Sequence, residues 1–384
     1  MRILIRITQV LVGVLFIISG LVKANDPLGL AYKMQEFFEL WSSSLKGAQF
    51  FAAGLLIGFF DFWHQHALAL AVTMITLEIV TGMALLLGWM RNFILYLLLL
   101  LMIFFTFLTG YAYLSGKFTN CGCFGDCLPI TPSTSFLKDI ALLILILFLL
   151  FGRRYLMMVP SRRLANTVLL SGLIISLAFQ WYVLHYLPVA DCLPFKNGNN
   201  IAEQMKPPPG AVPDSIAIRF IYEKGGKRFE FAPDNLPADF ETYTYVDRID
   251  KLVRKGNAEP RIKGFALTDT AGNDLTQQVL TEPVAVLAFA LDKAGASDWR
   301  DAFRKVMTAA KAKNVPVYFA TSNPEVFSKY FKEEKIDVPV LSCDFTVIRT
   351  AARTNPTLYI LHAGTITGKY SYKKLGDAAA GLGK

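Results

Sequence analysis

Three of the five cysteines fall within seven residues, Cys121, Cys123 and Cys127, in the stretch Lys-Phe-Thr-Asn-Cys-Gly-Cys-Phe-Gly-Asp-Cys-Leu at 117–128. Sulfur packed this tightly on a short polar loop does redox or metal chemistry. A disulfide inside Cys121-Gly122-Cys123 is strained, because the usual Cα separation of about 5.5 Å leaves little slack across one intervening residue. Strain raises the reduction potential, which suits a pair that hands its disulfide on. Cys127 or Cys192 supplies the second thiol that resolves such an exchange. Two other readings stand beside this one. Each cysteine bonds a distant partner, for instance Cys127 with Cys192, or the three hold a metal. Their spacing, with no histidine nearby, makes a poor zinc site.

Glu78 is the second residue with chemistry in it. It sits near the middle of a long apolar run, where a carboxylate is costly unless protonated or paired. Its expected roles are proton transfer or hydrogen bonding to a quinone, with Arg6 as one partner, and the plainer alternative is a structural hydrogen bond to a neighbouring helix. Asp61, His64 and His66 form a small cluster beside Trp63, read as an interfacial anchor in preference to a metal site. Cys343 follows an expected strand and reads as a small core residue, with a mixed-disulfide site as the alternative. The sequence contains no glycine-rich phosphate loop, no Ser-His-Asp arrangement and no HExxH motif.

The elements that position these residues divide the chain in two. Its 384 residues are 53% hydrophobic with a mean hydropathy of +0.40, and residues 1–187 hold nearly all the long apolar runs. Five runs reach the roughly 20 residues needed to cross a bilayer: Ile3–Val22, His66–Leu87, Asn92–Leu114, Thr134–Phe151 and Ala165–Leu187. The first reads as an uncleaved helix, since a small-x-small cleavage site is missing. Gly47–Trp63 is short and glycine-interrupted, and reads as interfacial or re-entrant.

With five spans, Arg2, Arg6, Arg91, Arg153, Arg154, Arg162 and Arg163 fall on one side, while Lys23, Lys33, Lys46 and Lys117 fall on the other. Basic residues are retained in the cytoplasm, which puts the N-terminus inside and residues 188–384 outside. All five cysteines then lie where disulfides persist. Their odd number leaves at least one thiol free, metal-bound or paired with another molecule. The net charge of +9 is in part this topology signal and is otherwise dispersed. No basic stripe with interleaved aromatics marks a nucleic-acid surface.

The loop Asn25–Ser44 has apolar residues at helical spacing and is expected to lie as an amphipathic helix on the outer surface. Residues 1–152 form the core bundle, 153–187 a basic loop and the fifth span, and 188–211 a linker rich in proline and glycine. Residues 212–384 form a soluble domain. It opens with a hairpin, Ile216–Glu223 and Arg228–Phe231 across Gly225-Gly226. From Glu282 strands and helices alternate, which predicts a sheet flanked by helices.

The membrane half resembles the DoxX/MauE group of four-helix membrane proteins. The resemblance rests on Arg6, on Ile18-Ser19-Gly20-Leu-Val-Lys23, on Asp26-Pro27, on Glu78-Ile-Val-Thr-Gly82, and above all on Cys121-Gly-Cys123-Phe-Gly125-Asp126. It covers about residues 1–152 and implies periplasmic thiol–disulfide chemistry. MauE is associated with maturing a disulfide-rich dehydrogenase subunit, and DoxX relatives with quinone-coupled sulfur oxidation. Residues 282–375 resemble a thioredoxin fold, with Asn355-Pro356-Thr357 at its cis-proline loop. Where thioredoxins carry Cys-x-x-Cys, this chain has Asp292-Lys-Ala-Gly-Ala-Ser-Asp-Trp, so the domain is expected to bind or scaffold.

The expectation is therefore a polytopic helical bundle in a bacterial inner membrane, followed by a periplasmic thioredoxin-like α/β domain without a dithiol. It would exchange disulfides with a periplasmic or exported client protein. Cys121 and Cys123 would be the exchanging pair, Cys127 or Cys192 the relay, a quinone the electron acceptor, and Glu78, with Arg6 beside it, the proton-handling and quinone-binding group. The competing expectation is a non-catalytic anchor or assembly subunit with static disulfides.

Overall fold

A computed structural model describes residues 1–47, 51–116, 127, 130–158, 161–213, 215–237, 239–254 and 256–382. Seven helices build the first half: α1 (Arg2–Ala24), α2 (Pro27–Leu45), α3 (Ala53–Gln65), α4 (Ala67–Leu87), α5 (Arg91–Ser115), α6 (Pro132–Phe151) and α7 (Arg162–Tyr186). Among the described residues five helices are long and apolar enough to cross a membrane: α1, α4, α5, α6 and α7. They coincide with the five apolar runs. The 13 residues of α3 give about 20 Å of helix, short of a hydrocarbon core of about 30 Å.

Helix α2 is amphipathic as expected. Asp26 caps its N-terminus by accepting from the Gly29 amide at 3.1 Å. Its buried face, with Leu30, Met34, Phe37 and Phe38, packs with Ala71, Met74, Ile75 and Phe105. Helices α1 and α4 approach so closely that a Cβ at Gly20 would meet Ile79 Cγ1 at 2.5 Å, and one at Gly82 would meet the Gly13 carbonyl oxygen at 2.8 Å. Small residues at a helix crossing let the backbones, and whatever flanks them, come together.

The second half holds α8 (Ile201–Gln204), β1 (Ser215–Lys224), β2 (Lys227–Phe231), β3 (Thr244–Arg254), α9 (Thr276–Thr281), β4 (Ala285–Ala290), α10 (Ala296–Ala312), β5 (Val317–Thr321), α11 (Pro324–Glu333), β6 (Val340–Ser342), α12 (Phe345–Ala351), β7 (Thr357–His362), β8 (Thr365–Ser371) and α13 (Leu375–Leu382). Five strands form one sheet in the order β6-β5-β4-β7-β8. β4, β5 and β6 run parallel, whereas β7 and β8 are antiparallel to their neighbours. A cis peptide precedes Pro356 at the entry to β7. This is the thioredoxin-like arrangement. One face of the sheet packs on α10, α11 and α13 through Trp299, Phe303, Phe327, Phe331 and Leu375. The other packs through Leu287, Phe289, Tyr359 and Leu361 on Phe195, Ile201, Val279 and Ile348.

Two expectations are corrected. The stretch after Cys192 is not a free linker: Leu193, Phe195 and Ile201 are buried in the domain. The Gly198 amide donates to the Ile366 carbonyl at 2.8 Å, and the Ile366 amide to the Asn199 carbonyl at 2.9 Å. The thioredoxin-like domain therefore begins immediately after Cys192, and the prolines at 207–209 lead into an insertion. That insertion is the antiparallel sheet β2-β1-β3. Its third strand was not expected, because Thr244–Arg254 interleaves charges with apolar residues and shows no clean alternation. Val212 and Asn257 close its stem, with Val212 N donating to Asn257 Oδ1 at 2.7 Å and Asn257 N to the Val212 carbonyl at 2.8 Å.

Candidate functional site

Glu78 is buried against a cation from α1. Lys23 Nζ lies 2.6 and 2.7 Å from the two Glu78 oxygens, and Ser19 Oγ donates to Oε1 at 3.2 Å. Lys23 also donates to Ser19 at 3.1 Å and sits 4.5 Å from the Phe105 ring centroid. The side chains of Lys23 and Glu78 are 4% and 5% exposed, so the pair is desolvated. Lys23 stands in the last turn of α1, where Cβ tilts toward the helix N-terminus and carries the stem back into the bundle. Ser19 lies one turn earlier on the same face, and the close α1–α4 crossing brings Glu78 opposite.

The expected partner, Arg6, lies about 25 Å away along α1 and cannot serve. Lys23 had been assigned to the outer loop, and the helix instead runs on through Ala24.

A second buried carboxylate was not expected at all. Asp139, on α6, accepts from Lys138 Nζ at 2.6 Å and from Thr109 Oγ1 at 3.0 Å, and its side chain is 2% exposed. Both pairs line one cavity of about 50 Å³, bounded by Ser19, Lys23, Glu78, Phe105, Lys138 and Asp139. That volume holds a few waters with several polar partners each.

A disulfide joins Cys127 to Cys192, with a Cα–Cα distance of 4.8 Å. Asn25, at the end of α1, fixes the segment before Cys192 from both sides. Its Nδ2 donates to the Ala190 carbonyl at 2.8 Å, and the Ala190 amide donates to its Oδ1 at 2.9 Å. The Ala190 carbonyl oxygen in turn lies 3.7 Å from Cys192 Sγ and 4.0 Å from Cys127 Sγ. A disulfide sulfur carries no proton, so these are contacts rather than donated bonds. Cys121 and Cys123 lie outside the described residues.

Cys343 is buried in the soluble core, and burial pushes its thiol up from 9.0 to about 12, with Asp344 adding to the effect. A thiol so placed is a poor nucleophile. Asp61 accepts from Ser42 Oγ at 2.8 Å, and His66 stacks on Phe62 at 4.3 Å while its Nδ1 faces the Phe62 carbonyl.

The thioredoxin-like domain is docked on the bundle through its cis-proline end. Arg353 Nε donates to both Asp26 oxygens, at 3.0 and 2.8 Å. Arg349 donates to Gln35 Oε1 and lies 4.3 Å over the Tyr32 ring. Lys369 donates to Asp191 Oδ2 at 2.7 Å. Burial raises the Tyr32 phenol, against the opposing pull of Arg353 and Arg349, and burial lowers Lys369 despite Asp191. Where thioredoxins place their dithiol, Asp292 accepts from Asn355 Nδ2 at 2.8 Å. None of these links was visible in the sequence, since each joins residues far apart in the chain.

Comparison with known proteins gives matches to separate segments of the chain. Residues 1–152 match the family described as "Methylamine utilisation protein MauE", and residues 216–255, the inserted sheet, match a domain of unknown function (DUF8463). Among curated proteins no relative matches. Among solved structures, ScoI of Bradyrhizobium japonicum with copper bound is similar at 20% identity over 31% of this chain and 95% of that one, with a TM-score of 0.24. The chain thus joins a helical segment similar to MauE, in residues 1–152, to a C-terminal domain with a thioredoxin-like sheet.

Proposed function

We propose that this protein is a membrane-embedded thiol–disulfide oxidoreductase working at the membrane face where Cys127 and Cys192 meet. The observation that carries the reading is the end of α1. Lys23 there holds Glu78 inside the bundle, and Asn25, two residues on, holds the backbone that touches the disulfide. A sulfur pair and a buried proton-bearing pair thus share one short helix end, the arrangement a two-electron, two-proton transfer needs. Cys121 and Cys123 are the exchanging pair with the client, and Cys127 and Cys192 the relay.

A membrane quinone supplies the acceptor for two electrons and two protons. Glu78, Lys23 and Ser19 would orient its ring oxygens and hold the protons. The arginine distribution supports a periplasmic position for this face in a bacterial inner membrane, with the N-terminus cytoplasmic. Clients are then periplasmic or exported proteins.

One observation favours the second reading, a non-catalytic anchor. The same disulfide fastens the start of the soluble domain to the bundle, beside the buried Asp26–Arg353 pair and the half-buried Asp191–Lys369 pair.

Redox titration of the purified protein, with alkylation and peptide mapping of all five cysteines, separates the two. Loop cysteines that titrate above about −250 mV sustain the oxidoreductase. Cysteines that all stay oxidised below about −300 mV are structural and leave the anchor reading.

A further inference from the structure

Cys192 sits in the middle of a stretch of backbone that is held on both sides without help from its own sulfur. On the N-terminal side Asn25 pairs with Ala190 like one rung of a sheet, donating to its carbonyl at 2.8 Å and accepting from its amide at 2.9 Å. Asn25 is buried and directly follows α1, so this rung is anchored in the bundle. Asp191 closes a turn around Cys192, its Oδ1 accepting from the Leu193 amide at 3.2 Å. Its Oδ2 accepts from Lys369 Nζ, on β8, at 2.7 Å. The Lys369 side chain is itself buried, 5.6 Å from the ring centroid of Tyr359. Leu193 and Phe195, just past the turn, are packed in the soluble core.

A cysteine whose disulfide opens ordinarily regains the freedom of its backbone, and closing the bond again costs that freedom. The bonds made by Asn25 and by Asp191 with Lys369 do not pass through sulfur, so they outlast the S–S bond. The Ala190 carbonyl also has two lone pairs. Asn25 takes one, and Cys192 Sγ, 3.7 Å away, is within reach of the other once reduction gives it a proton.

We propose that Asn25 and the Asp191–Lys369 pair are positioning residues for the relay: they keep Cys192 in place in the reduced protein, so that it recloses on Cys127 in preference to pairing with a thiol from solution. The proposal rests on the reading of Cys127–Cys192 as a relay. A relay opens and closes in every turnover, and a sulfur that keeps its place while open has a high effective concentration toward its partner. One clamp comes from the bundle and the other from the soluble domain, so the docked domain is part of what holds the sulfur in register.

The test equilibrates the full-length protein in lipid nanodiscs with reduced and oxidised glutathione, then maps alkylation of Cys127 and Cys192. The protein S–S bond breaks, and its two sulfurs take up two electrons and two protons. Two glutathione thiols give these up and join in one S–S bond. Asn25→Ala removes both bonds to Ala190, and Lys369→Met keeps the stem while removing the ammonium. Each is expected to lower the effective concentration of the pair about tenfold, the order of one residue's backbone freedom. For a two-electron couple that raises the potential by about 30 mV. Gln35→Ala loosens docking away from Cys192 and is expected to leave the potential in place. Cys343 staying unalkylated reports that a variant is folded; if Asn25→Ala fails that check, Lys369→Met decides. An unmoved potential in either folded variant overturns the proposal. So does a shift in Gln35→Ala as large as theirs, which would make the effect one of docking in general. A wild-type pair that only dithiothreitol opens, with both variants still shifted, sustains the positioning and sinks the relay reading.

Discussion

The soluble domain has the fold in which a redox dithiol would be expected, yet the dithiol position holds Asp292, tied to Asn355, and its one cysteine is sealed in the core. The membrane bundle, where charge is most expensive, holds four charged side chains around a cavity and a disulfide at its rim. Desolvated charge has gathered in the apolar half, and the polar half packs against it through Arg353–Asp26 and Arg349–Gln35. A fold therefore does not say where the chemistry is; the location of desolvated charge says more.

Substitutions sharpen that contrast. The largest effect is expected from Lys23→Met, which strands Glu78 without its cation and should cost about 3–5 kcal/mol. Thermal denaturation in detergent measures it, and adding Glu78→Leu should recover most of the loss. Additive losses in the double variant would show that the two residues do not act as a pair.

Next in size is the silence of Cys343. With its thiol near 12 rather than 9.0, the thiolate at pH 8 is scarcer by about 1000-fold, and alkylation of the folded protein should slow accordingly. The raised value also has a sign for stability. Below pH 9 the buried thiol is protonated whether folded or not, and its contribution is fully present. Between pH 9 and 12 the unfolded chain loses that proton first, so stability falls as pH rises. Cys343→Ala should flatten this part of the profile. Alkylation as fast as in a free thiol would bring Cys343 back among the reactive groups and weaken the contrast.

Cys127→Ser opens a disulfide between residues 65 apart in sequence, and chain entropy puts that loss at about 4 kcal/mol or somewhat less. Denaturant unfolding followed by proteolysis of the soluble domain reads it. The smallest effect belongs to Gln35→Ala, which removes one neutral acceptor from Arg349 and should cost about 1 kcal/mol. A loss as large as that of Lys23→Met would mean that docking, rather than the cavity, is where the molecule's charge matters most.

Much of the frame was legible. Five apolar runs of spanning length became five helices, and the alternation after Glu282 became the thioredoxin-like sheet, because hydrophobic period and length are local properties of the chain. Glu78 was legible for the same reason: one acid in a run of hydrocarbon stands out. Its partner did not, because Lys23 ends an apolar run and looks like a flank. Only the backward tilt of a side chain in a last helical turn returns its ammonium to the interior. Asp139 hid in the same way, next to Lys138 at the end of the second turn of α6, in a polar stretch that reads as the exposed start of a span. Arg349 and Arg353 occupy the stretch just before the cis-proline, and nothing local marks them as docking on Tyr32, Gln35 and Asp26. The Phe195 segment was misread for a related reason. Its prolines and glycines imitate a linker, while its few large apolar residues fill a core that is assembled from distant strands.

The absence of slack after Cys192 has a mechanical consequence. Only Leu193 and Pro194 separate Cys192 from Phe195 in the domain's core, a reach of at most about 10 Å. An arm on so short a leash cannot swing, and the domain stands as a fixed roof over its own end of the bundle. A client in the proposed exchange would therefore have to reach the Cys127–Cys192 disulfide past a domain held fixed beside it.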